Sequence, residues 1–277
     1  MSVLARTVFG PGPQQCGSMT IGATNIPQPA GGGDRNAIPL YTFASQRIVN
    51  HLITAMPLRV SALRTLGAYA NVFALESFMD ELASVAGADP VAFRLAHLNE
   101  PRARAVIEAA TTRAGWTRGV AGDGVHGRGI GFAKYKTLAT YVAVVAEIEV
   151  DRSTGSIRVP RVVVAADAGQ IINPNGLKNQ LEGGVIQSTS WTLHEALRFD
   201  PSRIKSRDWA SYPILTMPEV PLVEVELIDR PNERSLGAGE ASSGPTAAAI
   251  ANAVAHATGA RVRDLPLSAD RIKAALG

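Results

Sequence analysis

The sequence predicts an α+β protein built as two lobes, with helices packed on mostly antiparallel sheets. Helical periodicity clusters at 71–114, strand-like runs occupy 141–165 and 221–229, and helical patterns return near 176–197 and 245–276. Segregated runs of this kind gather helices on a sheet instead of alternating them with parallel strands. Hydrophobic residues make up 46% of the chain, enough for a sizeable core, while 26 glycines and 17 prolines give loops a large share.

Taken in order, residues 1–45 read as an irregular segment in which Pro27, Pro29 and Gly31–Gly33 prevent any regular period. So turn-rich a beginning suggests a chain that continues from an upstream part. A short strand is expected from near Arg47 to before Pro57. Val72, Leu75, Met79, Leu82 and Ala86 then fall at helical spacing, with Glu76, Asp80 and Glu81 on other faces, Asn71 as the cap and Gly87 as the stop. Asp89-Pro90 opens a second helix with an N-cap followed by proline in the first turn. A third helix is expected over 101–114, ending at Gly115. The glycine-rich stretch 117–129 reads as a boundary, which separates a helical lobe, 46–128, from an α+β lobe, 129–277.

In that second lobe YVAVVAEIEV (141–150) is strand-like, Asp151–Gly155 makes a turn, and the chain returns as SIRVPRVVVAAD. Pro160 cannot donate to a ladder, which predicts an edge or a bulge there. Asn173-Pro174 precedes a helical stretch, about 176–197, that contains Gly183-Gly184. Residues 221–229 alternate as a strand, Pro245 starts an alanine-rich helix capped by Gly259, and Ser268 caps a last short helix.

Composition excludes several classes of function. The net charge is only +3, and basic residues such as Arg59, Arg64, Arg94, Arg102, Arg104, Arg113, Arg118 and Arg128 are scattered, unlike the concentrated basic face of a nucleic-acid binder. With Cys16 as the single cysteine, the chain forms no internal disulfide and holds no iron–sulfur cluster of its own. The histidines at 51, 97, 126, 194 and 256 lack metal-ligand spacing. Glu76 and Asp80, one turn apart, could chelate a cation, although a solvated helix face is the commoner outcome. No apolar run reaches the roughly 20 residues of a membrane span, and no signal peptide is apparent. This favours a cytoplasmic setting, or a periplasmic one if a signal stands upstream.

The chemistry points to Leu236-Gly237-Ala238-Gly239-Glu240, between a strand and a helix. Two glycines let the backbone turn tightly and approach a ligand, and a carboxylate on that turn stands at the wall of a cleft. Burial would raise its pKa and make it a proton acceptor near neutral pH. A solvated glutamate on a glycine turn is the plainer reading of these five residues. An anion cradle at 237–239 is a third, opposed by the carboxylate in its middle.

Three blocks in order resemble the molybdopterin subunits of the xanthine dehydrogenase/aldehyde oxidase family. GAGEASSGPTAAAIANAVAHATGARVRDLPL resembles the closing segment that presents the base. TGSIRVPRVVVAADAGQIINPNGLKNQLEGG resembles the strand pair, the D-x-G-x-x-x-N-P turn and the Q-x-x-G-G helix start. PLRVSALRTLGAYANVFALESFMDELA resembles the arginine-glycine loop and the helix behind it. RNAIPLY and SRDWASYPIL are similar to the nicotinate dehydrogenase and isoquinoline oxidoreductase branch.

The resemblance implies a molybdenum hydroxylase large-subunit fold of C-terminal type. It also implies a molybdopterin cofactor in its cytosine dinucleotide form, and hydroxylation of an electron-poor carbon of an N-heterocycle or aldehyde with water as oxygen source. Electrons would pass to a separate small subunit carrying [2Fe–2S] clusters and on toward a cytochrome c. Glu240 matches the base that deprotonates the molybdenum-bound hydroxyl. Arg64, Gly67, Gln180 and Gly239 match positions beside the cofactor. Leu66 stands where relatives place an aromatic that sandwiches the substrate, so leucine departs from the pattern. The family's G-Q-G and glycine-rich F-G loops do not occur in the chain, and the upstream part of the large subunit is expected to supply them. Without that part the chain is expected to be inactive. If Glu240, Arg64 and Gln180 fail to converge, a non-catalytic assembly module that keeps the fold is the alternative.

Overall fold

The structure, a computed structural model, describes residues 33–49, 51, 58 and 63–277. Most of the strand expected between Arg47 and Pro57 lies outside these residues, as does Cys16, and residues 47–49 carry no strand. Residues 33–45 form turns that run along the first helix.

A four-stranded sheet forms the centre. Its strands are β1 (His126–Lys134), β2 (Tyr141–Val150), β3 (Ile157–Asp167) and, after two short strands β4 (Phe199–Asp200) and β5 (Arg203–Ile204), β6 (Leu222–Leu227). The order is β1-β2-β3-β6; the first two pairings are antiparallel and β3 pairs with β6 in parallel. Pro160 falls where the register slips between Glu147 and Glu149 and just before β6 begins to pair at Arg161, so a bulge absorbs its missing N–H.

The sheet buries both faces, which is why its two central strands read as nearly unbroken aliphatic runs. Val142, Val144, Ala146, Val162 and Val164 point to one side, where α4 (Pro174–Leu193) and α5 (Ser243–Thr258) cover them. Ala143, Val145, Val163 and Ala165 point to the other, against α3 (Pro101–Arg113), Tyr41 and Met79 of α1 (Ala68–Val85). The short α2 (Pro90–Ala96) begins as expected, with the Asp89 carboxylate accepting from the amides of Val91 and Ala92.

Several boundaries differ from the sequence reading, each for a local reason. The division expected at 128/129 falls inside β1. That strand escapes notice because Gly127, Gly129 and Gly131 occupy every second position, leaving no alternation to read. Those glycines let α5 lie directly on the strand: a Cβ at Gly129 would stand 2.2 Å from the amide nitrogen of Ala253. Helix α1 starts at Ala68, so Asn71 is not a cap; its side-chain amide donates to the carbonyls of Gly33 and Arg35. Helix α4 ends at Leu193, and α5 starts two residues before Pro245. Ser268 stands at the N-cap of α6 (Ala269–Ala275) but its side chain makes no capping bond.

Glu76, expected off the core face on the solvated side of its helix, is instead completely buried. Arg94 Nε lies 2.8 Å from its Oε2, the Tyr41 hydroxyl 2.7 Å from Oε1 and the Phe132 amide 3.1 Å from Oε2. Asp80 pairs with Arg94 and Arg261. These ion pairs take up both carboxylates, and no cluster of metal-ligating residues occurs among the described residues. No helix among them is long and apolar enough to cross a membrane.

Candidate active site

Glu240 sits on the turn that leads into α5. The turn is pinned at its start, where the Leu236 amide donates to the carbonyl of Ala168 just past β3. The Gly237 carbonyl accepts from the Thr140 hydroxyl at 2.9 Å, tying the turn to the approach of β2. The carboxylate therefore stands at one end of the sheet, on a base that the sheet itself locates.

Two donors hold it. The Thr65 amide reaches Oε1 at 2.8 Å and the Tyr135 hydroxyl reaches Oε2 at 2.6 Å; Lys136 Nζ lies 3.9 Å from Oε2. The side chain keeps 31% of its exposure. Burial pushes its pKa up, yet the bonds from Tyr135 and Thr65 and the charges of Lys136 and Arg35 outweigh that and hold it below the ordinary glutamate range. The pKa rise expected on burial is thus corrected: the carboxylate is already charged at neutral pH.

Arg64 brackets the same turn. Its Nε donates to the Gly239 carbonyl at 2.7 Å, Nη1 to Gln187 Oε1 at 3.1 Å and Nη2 to the carbonyl and side-chain oxygens of Gln180 at 3.0 and 3.3 Å. It does not pair with Glu76 or Asp80. Burial lowers its pKa while Glu240 raises it, with a net fall. Leu66 and Gly67 complete the loop, and the hydrogen bond from this loop to the carboxylate comes from Thr65. Thr65 and Leu66 both adopt positive φ, +79° and +56°, a conformation that costs free energy in non-glycine residues and gathers at functional sites. That backbone path aims the Thr65 amide at Glu240.

Arg64, Gln180 and the Gly239-Glu240 pair, from three distant parts of the chain, therefore meet in one place, with Leu66 and Gly67 alongside through Thr65. Sequence reasoning missed Tyr135, Lys136, Thr65, Gln187 and Arg35. Nothing in the FAKYK stretch distinguishes Tyr135, because its partner is 105 positions away. The carboxylate remains partly exposed. A recess of about 240 Å³ between Asp89, Trp116, Arg128 and His256 lies elsewhere and includes none of these residues.

At this end of the sheet a held carboxylate stands beside an arginine bracket and two exposed glutamines. Residues 61–221 match the molybdopterin cofactor-binding domain, and the chain belongs to that family, the molybdenum hydroxylases. It is 45% identical over 258 residues to a nicotinate dehydrogenase polypeptide of Pseudomonas putida, covering 88% of this chain and 22% of the relative. It is 35% identical over 209 residues to the beta chain of isoquinoline 1-oxidoreductase from Brevundimonas diminuta, covering 75% of this chain and 26% of that one. The chain thus spans about a quarter of the length of these curated relatives. Quinoline 2-oxidoreductase from Pseudomonas putida 86 shares the fold at a TM-score of 0.68 and 13% identity, over 79% of this chain and 53% of that chain. The aldehyde oxidoreductase from Desulfovibrio gigas does so at 0.66 and 16%, over 79% and 42%.

Proposed function

We propose that this chain carries the base and one wall of the active site of a molybdopterin-dependent hydroxylase. Its substrate is an N-heterocycle, or less favourably an aldehyde, oxidised at an electron-poor carbon with oxygen drawn from water. The two relatives named for nicotinate and isoquinoline support the heterocycle. The observation that carries the reading is the meeting of Glu240 with Thr65, Tyr135 and the Arg64 bracket on one turn.

The donors present fit a polyoxygenated, anionic cofactor. Arg64 occupies the side-chain oxygens of Gln180 and Gln187, leaving two exposed carboxamides whose NH₂ groups have no acceptor among the described residues. The Thr65 hydroxyl is buried and likewise unpartnered among them. Gly239 keeps the turn narrow beside Gln180, with room for a close backbone approach. Molybdopterin, in the cytosine dinucleotide form, supplies the two-electron acceptor when bound. Glu240 accepts the proton of the attacking oxygen, and Arg64 fixes the height of the turn through the Gly239 carbonyl. Leu66 contributes an apolar contact for the ring in place of an aromatic. Electrons leave to a [2Fe–2S] subunit and then a cytochrome c, and the upstream part of the large subunit closes the site.

The test is dye reduction driven by an N-heterocycle, with the chain assembled with its upstream part and small subunit, for wild type and Glu240→Gln. A loss of about a hundredfold or more at unchanged molybdenum content supports a general base. Equal activity makes Glu240 a turn residue, and a wild type that takes up no molybdenum favours an assembly role.

A further inference from the structure

We propose that Tyr135 is a positioning residue for the base: its hydroxyl aims the Glu240 carboxylate, and the Arg35-Asn36 turn holds Tyr135 there. The inference deepens the reading above and rests on Glu240 being the base.

Tyr135 is buried at the end of β1, in a tight turn where Lys136 and Thr137 both take positive φ, +59° and +60°. Such a path persists only where its surroundings enforce it. Asn36 enforces it, since its Nδ2 donates to the Lys134 carbonyl and its Oδ1 accepts from the Lys136 amide, each at 2.8 Å. Residue 135 is therefore gripped from both sides. Asn71 in turn holds the carbonyls of Gly33 and Arg35, fastening this turn to α1.

Arg35 Nη1 lies 3.4 Å from the Tyr135 oxygen as donor, so the hydroxyl hydrogen is committed to Glu240 Oε2 at 2.6 Å. The groups facing the carboxylate are Tyr135 and Lys136 from the turn after β1, Arg35 from the 33–36 turn, and Thr65 and Arg64 from the loop before α1; α4 presents neutral Gln180. Without the phenol, Oε2 would keep only Lys136 at 3.9 Å. A hydrogen bond to the charged form lowers a carboxyl pKa, so its removal raises it. The step is a proton transfer alone: one O–H bond breaks on the attacking oxygen, one forms on Glu240, and nothing is oxidised.

In the holoenzyme, two quantities are followed against pH: kcat, and the Glu240 carboxyl stretch by infrared difference between wild type and Glu240→Gln. Tyr135→Phe is expected to move the carboxyl transition and the acidic limb of kcat upward together, by about one pH unit. Replacement of Tyr135 by 3-fluorotyrosine, a stronger donor of similar shape, is expected to move both downward. Opposite shifts at constant molybdenum content support the proposal, and the fluorinated protein decides alone if the phenylalanine variant does not fold. A transition unmoved in the fluorinated protein, or moved the same way in both, overturns it. If Glu240→Gln stays active while the transitions shift oppositely, the base assignment fails and the positioning relationship stands. If Glu240→Gln is inactive and the transitions do not move, only the role of Tyr135 fails.

Discussion

Arg64 and Gly239, 175 positions apart, are joined by a 2.7 Å hydrogen bond from the guanidinium Nε to the backbone carbonyl. The same guanidinium serves Gln180 and Gln187, so one planar group sets the distance between the glycine turn and α4.

Arg64→Lys is expected to lose that spacing, because a single ammonium cannot address three directions in a plane. A base displaced by about 1 Å costs on the order of a hundredfold in rate. The expected result is a fall in kcat of about ten- to a hundredfold with KM changed less, measured by dye reduction beside molybdenum content. Unchanged kcat would show that the turn holds its height without the bracket.

Arg94→Met strands the Glu76 carboxylate in a site with no exposure on either side chain. Removing one member of a buried pair costs about 3–5 kcal/mol, and the double variant Arg94→Met/Glu76→Gln should recover part of that loss. Urea unfolding of the two variants measures it. A double variant no more stable than the single would mean that hydrogen bonds, not charge compensation, hold this part of the core.

Acid sensitivity should trace to Asp167. Burial pushes its carboxyl pKa up, but Arg102, Arg230 and the Gly169 amide pull it further down, so it lies below the ordinary aspartate value. With the folded pKa depressed, its stabilisation is complete above the unfolded value, about pH 4, and is lost as pH falls through the folded one. Asp167→Asn is expected to be less stable at neutral pH, with a gap to wild type that closes as the pH drops below about 4. A gap constant with pH would count against the linkage.

What the sequence revealed and what it hid divide along physical lines. The β2–β3 hairpin was legible because a run of valines flanks a turn-forming pentapeptide, and Gly259 announced the end of α5 by the left-handed conformation it adopts (φ +76°). β1 was hidden because glycine at alternate positions erases the period that marks a strand. Burial of Glu76 was hidden because a charged residue reads as surface unless its partners, here Arg94, Tyr41 and the Phe132 amide, are known. At the site, the local pattern around Glu240 suggested a carboxylate on a turn. Its convergence with Arg64 and Gln180 was anticipated only through resemblance to a family, and Tyr135 not at all. Long-range pairing leaves no local trace in residue types.

The glycine track on β1 has a mechanical side. Strand and helix meet there largely peptide against peptide, with only alanine methyls such as those of Ala248 and Ala257 between them and nothing to re-rotamer. Tyr135 hangs from one end of that strand, and Glu240 precedes by three residues the first turn of the helix lying on it. Both ends of the phenol–carboxylate bond are therefore mounted on a single stiff beam. Breathing of the aliphatic core would displace them together, leaving the short distance between them to be set by backbone geometry.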